Sequence, residues 1–157
     1  MELYLVQHGE AVSEQEDPAR PLSARGRREV EAVARAAARI GLRVELIVHS
    51  DKLRARQTAE VLAAALRPAR GTHQLPGLAP GDDQEAALRV VEGASGPLML
   101  VGHLPPLARL AGLLLAGDAD REVVAFRMGA VVALERSEAG FRLRYVITPE
   151  IAGAEAH

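Results

Sequence analysis

Two histidines and an arginine carry most of the chemistry this sequence offers. His8 stands in Gln7-His8-Gly9-Glu10, directly after the apolar run Leu3-Tyr4-Leu5-Val6. His103 stands in Gly102-His103-Leu104-Pro105, directly after Leu98-Met99-Leu100-Val101. A third polar cluster, His49-Ser50-Asp51 with Arg54 and Arg56 close behind, also follows a short apolar stretch. An imidazole serves as nucleophile or proton carrier near neutral pH. A guanidinium grips oxyanions with a planar fork of donors. Together these types suit work on a phosphoryl group, provided the fold gathers them in one place.

The intervening sequence predicts such a fold. Residues 2–6 read as a strand apolar enough to be buried on both faces. Residues 13–21 are polar and proline-bounded, hence a loop. Ser23 fits an N-cap, and Val30, Val33, Ala34, Ala37 and Ile40 repeat at helical spacing until Gly41. A second strand is expected over residues 44–48. Ser50 or Asp51 would cap the next helix, with Leu53, Val61, Leu62 and Leu66 as its buried stripe, and Pro68 would close it. A Pro- and Gly-rich stretch with a short strand around His73 leads to a helix over residues 84–92. A strand at 98–101 follows, then a helix after Pro105-Pro106 that stops near Gly117. Two strands, 130–135 and 141–147, pair antiparallel about Gly140.

Strand and helix alternate over the first two thirds, which implies an α/β fold: one three-layer domain over residues 1–157, its mostly parallel central sheet flanked by helices. Ligands of such sheets sit beyond the carboxyl ends of the strands. That rule turns the three polar clusters into one site. Each residue also has a plainer role, since strand-end histidines are often satisfied core groups and helix arginines are often solvated. A His-Gly and a Gly-His element, each directly after a buried strand, make the combination less ordinary.

Composition narrows the alternatives. The chain has 157 residues and no Cys, which excludes disulfides, thiolate metal sites and cysteine nucleophiles. Its formal net charge is -2 with the signs interspersed, so no field recruits nucleic acid or a membrane surface. Among the 19 basic residues only Lys52 is a lysine. No signal peptide and no apolar run of about 18 residues is seen, so a cytoplasmic protein is expected.

These residues resemble a known family. LYLVQHGEA is similar to the Arg-His-Gly motif of the histidine phosphatases, the branch that also contains phosphoglycerate mutases. VHSDKLRARQTAEVL resembles the family's second element, Ser-x-x-x-Arg-Ala-x-x-Thr-Ala, on Ser50, Arg54, Ala55, Thr58 and Ala59. LMLVGHLPPL resembles the third, a strand followed by Gly-His-x-Pro. Short length and the Arg20-Pro21-Leu22-Ser23 stretch narrow the likeness toward the SixA-type phosphohistidine phosphatases.

The resemblance implies a metal-independent phosphatase with no cofactor. His8 would be the nucleophile and transient phosphohistidine, Arg54 the grip on the phosphoryl oxygens, and His103 a protonated source of further charge. Gln7, Gly9, Ser50 and Arg20 would complete the phosphate site, Gly9 by letting the backbone approach the substrate. His49, Arg56, His73 and His157 fall on no motif position. The implied partner is a phosphorylated protein, a phosphohistidine domain, or a small phosphorylated metabolite.

One position departs from the pattern: Gln7 stands where the family has arginine. An amide offers two donors and no charge. Loss of one charge-assisted contact costs about 1.5–3 kcal/mol, or about 10- to 160-fold in rate when that contact is fully used. A neighbouring arginine can compensate, Arg20 first and Arg56 second, leaving activity retained but reduced. A general acid for the leaving group is sought among Asp82, Asp83 and Glu85, with Asp17 and Glu10 as weaker candidates. Asp82 and Asp83 equally fit a turn and a helix cap.

Three rivals stand beside this reading. His8, Glu10, His49, Asp51 and His103 are all possible ligands of a metal-dependent hydrolase. A phosphate- or phosphoprotein-binding module would result if Gln7 marks lost catalysis. A small-molecule phosphomonoesterase would keep the chemistry and change the substrate.

Overall fold

Leu3 and Leu5 of strand β1 (Glu2–Gln7) point to one face, Tyr4 and Val6 to the other, and all four are buried. A strand apolar on both faces needs a covering layer on each side. The computed structural model supplies both, and it describes residues 1–154; residues 155–157, His157 among them, lie outside the described residues. After β1 come α1 (Ala24–Arg39), β2 (Leu46–His49), α2 (Leu53–Leu66), β3 (Thr72–Gln74), α3 (Gln84–Glu92) and β4 (Leu98–Gly102). The chain continues through α4 (Pro106–Ala116), β5 (Val131–Ser137) and β6 (Gly140–Ile147).

The strands form one sheet in the order β3-β2-β4-β1-β5-β6. The β2–β3, β2–β4 and β1–β4 pairs are parallel, whereas β1–β5 and β5–β6 are antiparallel. The sheet is thus mixed and mostly parallel, as the alternating pattern predicts. Tyr4, Val6, Ile47, Met99 and Val101 meet α1 and α2 on one face. Leu3, Leu5, Val48, Leu98 and Leu100 meet α3 and α4 on the other. Each large side chain so buried contributes about 1.5–3 kcal/mol relative to exposure.

Most predicted boundaries stand within two residues, and α3 covers the expected span. Ser23 caps α1, its Oγ accepting from the Gly26 amide at 2.9 Å. Helix α2 departs from expectation twice. Its buried positions are Ala55, Thr58, Ala59 and Leu62, while Leu53, Val61 and Leu66 are only partly covered. Small residues let α2 lie close to the sheet and to α1. Its N-cap is Lys52, whose side chain has no acceptor for a cap bond; the Ser50 hydroxyl accepts only the Lys52 amide, at 3.3 Å, and otherwise meets His103.

Two glycines set the spacing at the start of α1. A Cβ built on Gly26 would overlap the Glu10 carbonyl, and one on Gly9 would lie 2.8 Å from Val30 Cγ2. The loop after β1 therefore rests directly on the first turn of α1. A buried ion pair secures the same helix further along: Arg127 Nη2 donates to Glu29 Oε2 at 2.6 Å, and Arg127 Nε to Glu150 Oε1 at 2.9 Å. Two residues on, the Gly129 amide donates to the Gln7 carbonyl at 2.9 Å. No helix among the described residues is long and apolar enough to cross a membrane.

Candidate functional site

Strands β2, β4 and β1 are neighbours and parallel, so their carboxyl ends open on one crevice. The ladder runs one step past the strands. The His8 amide donates to the Gly102 carbonyl at 3.1 Å, and the Ser50 amide to the Val101 carbonyl at 3.3 Å. His8, Ser50 and His103 are thereby held side by side. The rings of His8 and His103 lie 4.8 Å apart between centroids, tilted by 51°. Both side chains are almost fully buried.

Each ring has one nitrogen pinned. His8 Nδ1 lies 2.7 Å from the Gly9 carbonyl, which only accepts, so Nδ1 carries the proton and Nε2 keeps its lone pair. His103 Nε2 lies 2.7 Å from Ser50 Oγ. The first turn of α2 brings Arg54 to the same crevice. Its Nε is buried without a hydrogen-bond partner among the described residues. An orphaned buried donor costs about 1–3 kcal/mol, and an anion would satisfy it.

The charges around the two rings are mostly of one sign. Burial lowers the His8 pKa, and Arg54 and Arg20 lower it further, against the Gly9 carbonyl. Burial again leads for His103, followed by His8, Arg54, Lys52 and Arg20, and together they push it down to about 3. Arg54 is itself lowered by burial and by Arg20, with Asp51 and Glu14 opposing. A bound dianion would reverse the charge part of each shift and draw a proton onto His103.

Arg20 reaches the site from the loop between β1 and α1. That loop is closed at its neck: Ala11 bridges Leu22, and the Val12 amide donates to the Pro21 carbonyl at 3.0 Å. Arg20 adopts φ 48, an uncommon conformation for a side-chain-bearing residue, and its Nε donates to the Val12 carbonyl at 3.0 Å. The guanidinium so anchored bears on His8, Arg54 and His103 at once. Arg56, the second candidate to compensate for Gln7, instead pairs with Glu60 on the exposed face of α2.

The remaining predicted residues are placed as follows. Gln7 pairs with Gly102 in the sheet, and its side chain makes no hydrogen bond among the described residues. The Gly9 amide donates to Thr58 Oγ1 at 3.0 Å, and its close approach is to α1. Thr58 Oγ1 in turn donates to the Arg54 carbonyl at 2.8 Å. His49 Nδ1 sits 2.8 Å from the Ser50 carbonyl, and His73 Nε2 lies 3.1 Å from the Arg70 carbonyl outside the crevice. Thr58 and Lys52 are the site residues that motif matching alone leaves without a role. A threonine four positions after Arg54, inside an otherwise alanine-rich helix, is the available signal.

Four of the five candidate acids each give one carboxylate oxygen to local structure. Asp82 Oδ2 accepts from the Gly77 and Ala79 amides, both at 3.0 Å, and Asp83 Oδ1 caps α3 through the Glu85 amide at 2.9 Å. Glu10 Oε1 accepts from Ser23 Oγ at 2.8 Å, and Asp17 Oδ1 from the Ala19 amide at 2.9 Å. Glu85 is exposed in the first turn of α3. No group of three or more His, Cys, Asp or Glu side chains among the described residues is placed to hold a metal ion.

Comparison with known proteins gives three findings. The family described as the histidine phosphatase superfamily (branch 1) matches residues 3–82. An uncharacterized protein of Picosynechococcus sp. is 37% identical over 139 residues, 83% of this chain and 83% of that one. Among solved structures, the protein histidine phosphatase SixA complexed with tungstate superposes with a TM-score of 0.81 at 25% identity, over 95% of this chain and 97% of that chain. The alpha-ribazole phosphatase from Shigella flexneri shares the fold, with a TM-score of 0.72 at 16% identity over 95% and 97% of the chains.

Proposed function

The chain belongs to branch 1 of the histidine phosphatase superfamily, and on that premise we propose that it hydrolyses phosphohistidine on a protein without a metal ion. The observation that carries this reading is a pinned imidazole beside a guanidinium with an unsatisfied buried donor: His8 with Nδ1 held by Gly9, and Arg54 with its buried Nε unpartnered.

In this mechanism the lone pair on His8 Nε2 attacks phosphorus while Nδ1–H stays on the Gly9 carbonyl. The P–N bond to the substrate imidazole breaks; with its other ring nitrogen protonated from solvent, the ring leaves as neutral imidazole and the bonding pair stays on the leaving nitrogen. Arg54, Arg20 and the newly protonated His103 spread the charge on the equatorial oxygens. Water then attacks the phosphohistidine, releasing inorganic phosphate and restoring His8. Arg20 stands in for the missing charge at Gln7, which leaves activity reduced but present.

The choice of a P–N over a P–O bond rests on the acids. Imidazole departs readily because its conjugate acid has a pKa of about 6.5, whereas an alkoxide needs protonation. Asp82, Asp83, Glu10 and Asp17 each spend a carboxylate oxygen on local structure. A site so furnished favours the better leaving group.

The test is hydrolysis of a phosphohistidine-bearing protein domain in EDTA, with His8→Ala as control. Turnover that vanishes in the control is expected. Phosphate binding without turnover would instead make the protein a binding module. A tenfold or greater preference for small phosphate esters would reassign it to metabolites such as those that the alpha-ribazole phosphatase is named for.

A further inference from the structure

Ser50 sits behind His103. Its side chain is buried, its Oγ lies 2.7 Å from His103 Nε2, and it accepts from the Lys52 amide at 3.3 Å. Its backbone is held on both sides. The Ser50 amide donates to the Val101 carbonyl at 3.3 Å, and the Ser50 carbonyl accepts from His49 Nδ1 at 2.8 Å. The hydroxyl therefore has little freedom to turn toward a ligand. His103 Nδ1 has no protein partner among the described residues and is not among the atoms sealed from solvent, which leaves it as the nitrogen facing the crevice.

We propose that Ser50 is a positioning residue for His103: its hydroxyl holds Nε2 so that Nδ1 is presented to the phosphoryl oxygens, and it does not bind them itself. The proposal rests on the phosphatase reading above for its kinetic part only. Apart from Nε2 the Ser50 hydroxyl meets only the Lys52 amide, itself a donor, so its proton goes to Nε2 and the neutral ring carries its own proton on Nδ1; the same hydroxyl can turn to accept once Nε2 is protonated. The contact then survives the proton that His103 gains with the anion. A carboxylate in its place would accept only, and would hold His103 charged among Arg20, Lys52, Arg54 and His8 before any anion binds. The 4.8 Å between ring centroids gives orientation its consequence, since a His103 ring free to flip would change what faces the nucleophile.

The test combines 15N chemical shifts of the His103 ring with kinetics on a phosphohistidine protein in EDTA. Wild type, Ser50→Ala and Ser50→Thr are compared, each with and without inorganic phosphate. In wild type the two ring nitrogens should report one fixed tautomer. In Ser50→Ala they should average, kcat should fall about tenfold or more, and KM and the Kd for inorganic phosphate should stay within about twofold. Ser50→Thr should restore both the shifts and kcat. Phosphate binding weakened about fivefold or more with the tautomer unchanged would make Ser50 a direct ligand and overturn the proposal. No change in shifts, kcat or binding would overturn it equally. If Ser50→Ala does not fold, Ser50→Cys carries the same readouts with a weak hydrogen-bonding group. If wild type shows no turnover, the phosphatase reading falls, while the 15N shifts still decide the role of Ser50.

Discussion

The Gly9 amide and the Thr58 hydroxyl meet at 3.0 Å, and the same hydroxyl donates to the Arg54 carbonyl at 2.8 Å. One buried side chain therefore ties the turn that carries His8 to the helix that carries Arg54. His8 and the Arg54 guanidinium are set relative to each other through two hydrogen bonds, although 46 positions of sequence separate them (54 minus 8).

Thr58→Val keeps the shape and removes both bonds. It should destabilise the protein by about 1–3 kcal/mol, the cost of leaving the Gly9 amide buried and unpaired. Turnover should fall as well, because Gly9 and Arg54 lose their common tether. Thr58→Ser should recover most of both. Urea unfolding beside phosphohistidine hydrolysis checks this, and a Val variant with unchanged stability and turnover would refute the tether.

Arg20 and Gln7 should be energetically coupled. In the natural background, Arg20→Ala should lower kcat/KM by about 10- to 160-fold, the worth of one charge-assisted contact. Gln7→Arg should raise activity and shrink the penalty of Arg20→Ala. A double-mutant cycle measures the coupling. Strict additivity would mean that Arg20 does not compensate for Gln7.

Acid should weaken the fold through His103. Its pKa is pushed down from 6.5 to about 3 in the folded chain, with burial as the leading cause. The unfolded chain therefore binds the extra proton first, and stability declines as pH falls from about 6.5 toward about 3. The contribution is fully present above that window. His103→Asn should flatten this part of the profile, and inorganic phosphate should lift its acid end by favouring the charged ring. Chemical denaturation across pH 4 to 7, about half a unit apart, shows whether the slope has the stated sign.

Gly26→Ala should be among the costlier single changes. The added carbon would overlap the Glu10 carbonyl, which is backbone and cannot swing aside. Overpacking of this kind costs about 1–3 kcal/mol, and relief would require the His8 turn to lift off α1. A thermal shift with a matching loss of turnover is expected, and an unperturbed variant would show that the turn is not seated on α1.

Glu29→Gln should destabilise by about 2 kcal/mol, less than the 3–5 for a fully buried pair because Arg127 retains Glu150 and some solvent. Glu29→Gln combined with Arg127→Met, which removes the cation too, should be milder. Equilibrium unfolding of the two variants distinguishes the cost of an unpaired guanidinium from the worth of the pair.

The strand ends were legible because a buried strand that stops at a polar, glycine-flanked histidine leaves few other places for a ligand. Helix α3 was legible too, with Asp83 as cap and Gly93 as stop. Helix α2 was less so. Periodicity weighs large residues, and this helix buries Ala55, Thr58 and Ala59 instead of Leu53 and Leu66. Ser50 looked like a helix cap because its partner, His103, lies 53 positions away. Gly9 presented the same difficulty. A glycine beside a nucleophile suggests room for substrate, yet the atoms that crowd it belong to Val30, Leu22 and Gly26. Pairings made only in three dimensions leave no periodic trace.

The neighbours of β1 in the sheet have a consequence for how the protein is made. Leu3 pairs with Leu98 on one side and with Leu134 on the other. The strand that delivers His8 is synthesised well before both of its partners. Contacts this distant in sequence close slowly, so His8 is the earliest part of the crevice to exist and among the last to be framed. No N-terminal fragment ending before β4 can hold His8 against Gly102. The crevice is thereby framed only after β4 has been made.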